Sequence, residues 1–201
     1  VISLDKGLIG SFDDFILSYF PNQTFENDSP NKQKVAIKQL LMMTSGFDYG
    51  GDPTLAPSVD GSRAEYVLNR PVKYEPGTVW VYDSQAPSVL LKIIELQSNI
   101  TIDEFATEYL FDPLQIKNAL WTKDESDLAF GGFGLYLAPR DMAKLGQLYL
   151  QGGVWNGERI VSESWVNEST TDSMDSDVEF VYSTVPTEGY GYLWWIYEDY
   201  Y

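Results

Sequence analysis

The sequence predicts a helix-rich α/β chain of the α+β type, on three observations. Capping boxes recur ahead of apolar residues at helical spacing. A short aromatic and β-branched run precedes Tyr82, and a longer aromatic run, 189–201, reads as a strand. No internal repeat and no linker divides the chain, so residues 1–201 form one unit.

The elements follow in order. Ser11-Phe12-Asp13-Asp14 predicts a helix start, with Phe12, Phe15, Ile16 and Tyr19 inward and a stop before Pro21. Residues 21–34 are polar with two prolines and read as a loop. Val35, Ile37, Leu40, Leu41 and Met43 predict a buried helix, ended by Thr44-Ser45-Gly46 with Gly46 as its left-handed cap. Residues 48–61 form a Gly/Pro/Asp-rich loop. Ser62-Arg63-Ala64-Glu65 opens a short helix that ends before Pro71.

Ser84 to Leu96 predicts a helix with Val89, Leu90, Ile93 and Ile94 inward and Pro87 in its first turn. Thr101-Ile102-Asp103-Glu104 starts another, with Phe105, Tyr109 and Leu110 on one side. Gly131-Gly132-Phe133-Gly134 is a turn. Pro139 opens a helix carrying Met142, Leu145, Leu148 and Tyr149, closed at Gly152-Gly153. Asn156-Gly157 marks a hairpin, and Ser162 caps a further short helix. Residues 170–188, acidic and rich in Ser and Thr, predict a loop. Gly189 to Tyr201 predicts a strand.

Composition excludes several chemistries. With 44% apolar residues and 15% aromatics against 21% charged, the chain buries a sizeable core rather than staying disordered. Thirteen basic against 30 acidic residues give a net charge of −17, which repels polyanions and argues against nucleic acid as a partner. The same acidity is that of a solvated surface. No apolar run reaches transmembrane length. No signal peptide is visible, and a chain beginning at Val1 leaves targeting open. Sequons at Asn22, Asn27, Asn99 and Asn167 matter only on a eukaryotic secretory route. With no Cys and no His there is no disulfide, no thiolate, no histidine metal site and no histidine base. Any base within this stretch is Lys, Tyr, Asp or Glu.

The chemistry-bearing segment is Glu75-Pro76-Gly77-Thr78-Val79-Trp80-Val81-Tyr82-Asp83-Ser84. A proline–glycine turn feeds a short aromatic, β-branched run, which delivers Tyr82 to the start of the next helix. A tyrosine held between a turn and a helix end can face a pocket and move a proton. Most of the 14 tyrosines pack with a wet hydroxyl, so position distinguishes this one.

Several segments, in this order, resemble the serine hydrolase family of class C β-lactamases, DD-peptidases, related esterases and 6-aminohexanoate-dimer hydrolases. Lys6-Gly7-Leu8-Ile9 resembles its "D/E-x-G-x-I" step, and Leu40 to Phe47 resembles "LLxxTSGx". Pro76-Gly77-Thr78 with Tyr82-Asp83-Ser84 resembles "PGxxxxYSN". Gly131 to Leu135 with Pro139 to Gly146 resembles "GGLxxxxxDxxxxG", and Gln151-Gly152-Gly153, Trp155-Asn156-Gly157 and Arg159-Ile160-Val161 continue the match. Each motif is weak alone, and the ordered set is specific.

The resemblance implies a β-lactamase/transpeptidase-like fold, of which 1–201 is a single partial domain. That domain would be the helical lobe in the middle of a longer serine hydrolase, with most of the central antiparallel sheet outside it. It implies an acyl-enzyme mechanism on an ester, amide or peptide, without metal or cofactor. A serine of an S-x-x-K motif attacks, and the motif lysine and tyrosine share the proton. A nearby ammonium lowers the tyrosine pKa. By position Tyr82 is the catalytic tyrosine. Ser84 stands where the motif has Asn, a substrate-binding position filled by a shorter side chain with one donor. That departure weakens a β-lactamase assignment more than a general hydrolase one. The resemblance and the lack of Cys also imply a periplasmic or extracellular location.

Two S-x-x-K strings are rejected as the nucleophile motif. Gly7 and Gly10 follow Ser3-Leu4-Asp5-Lys6 too closely for a long helix, and Pro30 places Ser29-Pro30-Asn31-Lys32 in a loop. The nucleophile is expected before Val1 and the K-T-G or H-x-G strand after Tyr201. The remaining segments of the parent domain would then be this chain's partners. The alternatives are a penicillin-binding-like module without catalysis, recognising peptides or cell-wall fragments, and a structural subunit completing another chain's site.

Overall fold

The computed structural model describes residues 1–49, 60–172, 179–182 and 189–196. The helices are α1 (Ile2–Asp5), α2 (Ile37–Leu41), α3 (Arg63–Asn69), α4 (Pro87–Ser98), α5 (Ile102–Ala106), α6 (Pro139–Leu150) and α7 (Glu163–Ser169). The strands are β1 (Val79–Val81), β2 (Leu120–Trp121), β3 (Leu135–Tyr136), β4 (Val154–Trp155), β5 (Glu158–Arg159), β6 (Glu179–Tyr182), β7 (Gly189–Tyr190) and β8 (Trp195–Ile196).

Among the described residues the strands pair two by two. β2–β3, β4–β5 and β7–β8 are antiparallel, and β1–β6 is parallel, with Trp80 opposite Phe180. Helix α4 is the hub. It packs against α2, α3, α5 and the 3₁₀ turn Ile16–Tyr19. Val89 and Ile93 are buried, joining Ile16, Leu40, Val67, Leu68 and Leu114 in one core. Leu90 and Ile94, expected inward, are half-buried.

Local chemistry explains the well-read elements. Ser62 Oγ accepts from Glu65 N (3.4 Å) at the start of α3. Thr101 and Glu104 form a reciprocal box at α5, with Thr101 N on Glu104 Oε2 (2.9 Å) and Glu104 N on Thr101 Oγ1 (3.3 Å). A π-type turn, Thr107–Phe111, prolongs that helix, and Phe105 meets Tyr109 edge-on. Asn156 and Gly157 both adopt positive φ (49° and 85°), the geometry a two-residue hairpin needs between β4 and β5.

Three expectations fail here for identifiable reasons. No helix starts at Ser11. The Asp14 carboxylate takes the N–H groups of Gly10 (3.1 Å) and Ser11 (2.9 Å) and the Tyr19 hydroxyl (2.6 Å). Phe15 is extended, bridges to Ala36 and stays 51% exposed, so only the 3₁₀ turn forms. Within 170–188, expected as loop, Glu179–Tyr182 is a strand beside β1. The run Phe180-Val181-Tyr182 is strand-forming, and the acidic composition around it hid this. Residues 189–196 form the β7–β8 hairpin rather than one strand, turning through Leu193 at φ 64°. Residues 197–201, the end of that expected strand, lie outside the described residues.

Asp14 yields a pH-dependent prediction. Its hydrogen bonds, that of Tyr19 first, hold its carboxyl below the ordinary value. The Tyr19 hydroxyl is pushed up to about 12, first by burial and then by Asp14. A depressed carboxyl stabilises the fold above its unfolded pKa, and the gain fades as pH falls through the folded value. Asp14→Ala in the full-length protein should cost about 1 kcal/mol at neutral pH. The gap in thermal midpoint should close below the ordinary carboxylate range.

Candidate functional site

The Tyr82–Ser84 turn is assembled by segments far apart in sequence. Glu75 to Thr78 form a β-turn, with Thr78 N on Glu75 O (3.2 Å) and Gly77 at φ 92° in the position that favours glycine. Gly77 N donates to Thr44 O (2.8 Å), and Gly46 O accepts from Lys73 N (2.8 Å). A Cβ on Gly46 would lie 2.4 Å from Tyr74 O. Helix α2 ends at Leu41 with Met43 (φ 59°), not the expected Gly46, as the left-handed residue after it, so the Thr44-Ser45-Gly46 segment has another task. It docks the turn that launches β1. Val81 N then donates to Met43 O (2.9 Å), and Asp83 N lies 3.4 Å from Met43 Sδ.

Asp83 fixes the turn itself. Its carboxylate is 4% exposed. Oδ1 accepts from Gln85 N (2.9 Å) and Ala86 N (3.0 Å), and Oδ2 pairs with the buried Arg70 Nη2. The Arg70 guanidinium sits among the rings of Phe47, Tyr49 and Tyr66. From the other side Gly131 and Gly132 press on the start of α4. Added Cβ atoms there would lie 2.4 Å from Pro87 C and 2.1 Å from Ser84 O. The pair expected as part of a turn thus also makes a close backbone approach to the start of α4.

Tyr82 is half-buried. Its ring stacks on Trp195 (5.6 Å, 29°) and leans on the fully buried Trp80 (6.3 Å). Tyr190 closes this cluster edge-on against Trp80 and Trp195. Burial first, and the Asp83 charge second, push the Tyr82 hydroxyl above its ordinary value. Both influences oppose the phenolate. To serve as a base, Tyr82 needs a cation brought to it.

Ser84, two residues on, is half-buried. Its Oγ lies 3.3 Å from the Tyr49 hydroxyl and 3.4 Å from Gln85 Nε2. Tyr82 and Ser84 thus share one turn, as their spacing implied. Tyr49, Gln85 and Arg70 were not singled out in the sequence. No periodicity marks them, and only their contacts with the turn reveal them.

Both rejected lysines have structural work. Lys6 ends α1 and lies over the Tyr109 ring (3.8 Å), while Ser3 is buried. Lys32 is buried, donates to Leu68 O (2.8 Å) and Glu26 O, and is lowered in pKa chiefly by burial. Of the loops expected at 48–61 and 170–188, residues 50–59, 173–178 and 183–188 lie outside the described residues. Among the described residues no group of acidic side chains is placed to hold a metal ion. None of the described helices is long and apolar enough to cross a membrane.

A family model described as Beta-lactamase matches residues 4–200. The chain belongs to the beta-lactamase family. Within that family it is 31% identical over 119 residues to a 6-aminohexanoate-dimer hydrolase of Paenarthrobacter ureafaciens, covering 57% of this chain and 30% of that protein. It is 26% identical over 157 residues to a lovastatin esterase of Penicillium rubens, covering 69% and 37%. The chain therefore spans about a third of the length of these curated relatives. An octameric penicillin-binding protein homologue from Pyrococcus abyssi superposes with a TM-score of 0.67 at 19% identity, over 96% of this chain and 49% of that one. At that identity the likeness shows the fold alone. It is the β-lactamase/transpeptidase-like fold expected from the motifs.

The buried pair makes a stability prediction. Asp83→Ala removes the helix cap and strands the Arg70 charge, and should cost about 3–5 kcal/mol in denaturant unfolding of the full-length protein. Arg70→Met combined with Asp83→Leu should be less damaging than Asp83→Ala alone, because no buried charge is left unpaired.

Proposed function

We propose that residues 1–201 are a partial domain, the tyrosine-bearing part of a longer serine hydrolase that cleaves an ester or amide through an acyl-enzyme. Tyr82 is its proton-shuttling base, and Ser84 meets the substrate. The observation that carries this is the placement of Tyr82, in a turn locked by Asp83 and walled by Trp195, with Ser84 beside it. Family membership and the relatives named as an esterase and an amide-dimer hydrolase support the reaction class.

The raised pKa of Tyr82 fits this role only with an ammonium from the remainder of the parent domain. The ammonium supplies the missing stabilisation of the phenolate, and the tyrosine then takes the proton of the attacking serine. The substrate is a small ester, amide or peptide.

Two measurements on the full-length protein test the proposal. Fluorophosphonate treatment should add one adduct mass, and a protein that never gains it is the binding module or structural subunit instead. Tyr82→Phe should lower kcat by about 10²–10⁴-fold with little change in melting temperature. A base works only when deprotonated, so the rate should fall as pH drops through the apparent pKa of the tyrosine–lysine pair. Tyr82→Phe should remove that limb.

A further inference from the structure

Around Ser84 runs a chain of side chains whose direction is set from its buried end. The Arg63 guanidinium has donors only and stays charged. Arg63 is 9% exposed and held over the rings of Phe130 (4.1 Å) and Phe133 (5.6 Å). Its Nη1 donates to Gln85 Oε1 (2.6 Å). Gln85 is wholly buried. With its amide oxygen turned to Arg63, its nitrogen faces Ser84 Oγ (3.4 Å). Ser84 accepts there and has its own proton to pass to Tyr49 Oη (3.3 Å). A phenol that accepts from Ser84 directs its proton elsewhere.

We infer that Arg63, Gln85, Ser84 and Tyr49 form a polarised donor chain whose outer end, the Tyr49 hydroxyl, binds a carbonyl oxygen of the substrate. This rests on the hydrolase function proposed above. Tyr49 is the contacting residue, and Gln85 and Arg63 are positioning residues. The chain answers the departure at position 84. Serine is shorter than the motif's asparagine and has one donor, and beside the contact that Ser84 makes itself Tyr49 adds a second donor farther out. The Tyr49 ring is held in place by the Arg70 guanidinium (5.0 Å), which also pairs with Asp83, so donor and turn share one anchor. Burial, partly offset by the Ser84 hydrogen bond, raises the Tyr49 pKa and keeps it a neutral donor. The 3.3 and 3.4 Å links are long for hydrogen bonds and tighten when an acceptor completes the chain.

The test uses the full-length protein and two probes, p-nitrophenyl butyrate for turnover and butyranilide, an amide with a far poorer leaving group, for binding before turnover. Tyr49→Phe should raise the butyranilide Kd and the KM for the ester about tenfold, with the loss in kcat/KM carried by KM. Gln85→Glu puts an acceptor beside Ser84, turns its proton away from Tyr49 and should weaken binding to a similar degree. The double variant should be no worse than Tyr49→Phe alone, since both break one chain. An unchanged Kd in Tyr49→Phe overturns the inference, as do multiplying effects in the double variant or no butyranilide binding by the unmodified protein. Tyr49→Phe removes one half-buried hydroxyl, so it reports even if Gln85→Glu does not fold. Tyr49-dependent binding without ester turnover upholds the donor chain and rejects the hydrolase function.

Discussion

Everything around the candidate site depends on where the Asp83 carboxylate puts its two oxygens. One caps the first turn leading into α4, and the other holds Arg70 in the interior. Withdrawing both charges from water is costly, and the capping bonds and close pairing offset that cost. The return is geometric. Tyr82 before Asp83 and Ser84 after it are held at fixed positions relative to one helix axis. An apolar residue at 83 would pack there, but would define neither the end of β1 nor the start of the helix.

Backbone proximity does the rest. Gly46 admits Tyr74 O, and Gly132 admits Ser84 O, each at distances where a side-chain carbon would collide. The Thr-Ser-Gly, Pro-Gly and Gly-Gly segments are thus parts of one contact surface, joined by main-chain hydrogen bonds and close approach. The aromatic wall of Trp80, Tyr190 and Trp195 completes the enclosure, and its dryness makes the Tyr82 phenolate costly without a cation.

Much of this was legible in the sequence because it is local. The boxes at Ser62 and Thr101, the Asn156-Gly157 hairpin and the proline-started helices each need residues within one turn. Ser11 misled because only half of its box forms: Asp14 accepts the Ser11 N–H, but the Ser11 hydroxyl accepts from Asp13 N and Phe15 turns extended, so no helix follows. Strand β6 was hidden because its partner is distant and its flanks are acidic. Tyr82 and Ser84 were found by motif order, whereas Tyr49, Gln85 and Arg63 belong to the site only through contacts between α3, α4 and the segment after α2. No spacing in the chain encodes such contacts.

The parallel pairing of β1 with β6 has a kinetic meaning. Val79 lies opposite Glu179, so the ladder closes a loop of about a hundred residues, and that entropy is lost before any pairing bond forms. The contacts of α4 with α3 and α5 span far shorter loops. The helical hub can therefore assemble first, with β1 waiting on the arrival of a distant segment. The β7–β8 hairpin, which brings Trp195 onto Tyr82, lies later still in the chain. In a chain emerging residue by residue, the tyrosine would be presented early and enclosed last.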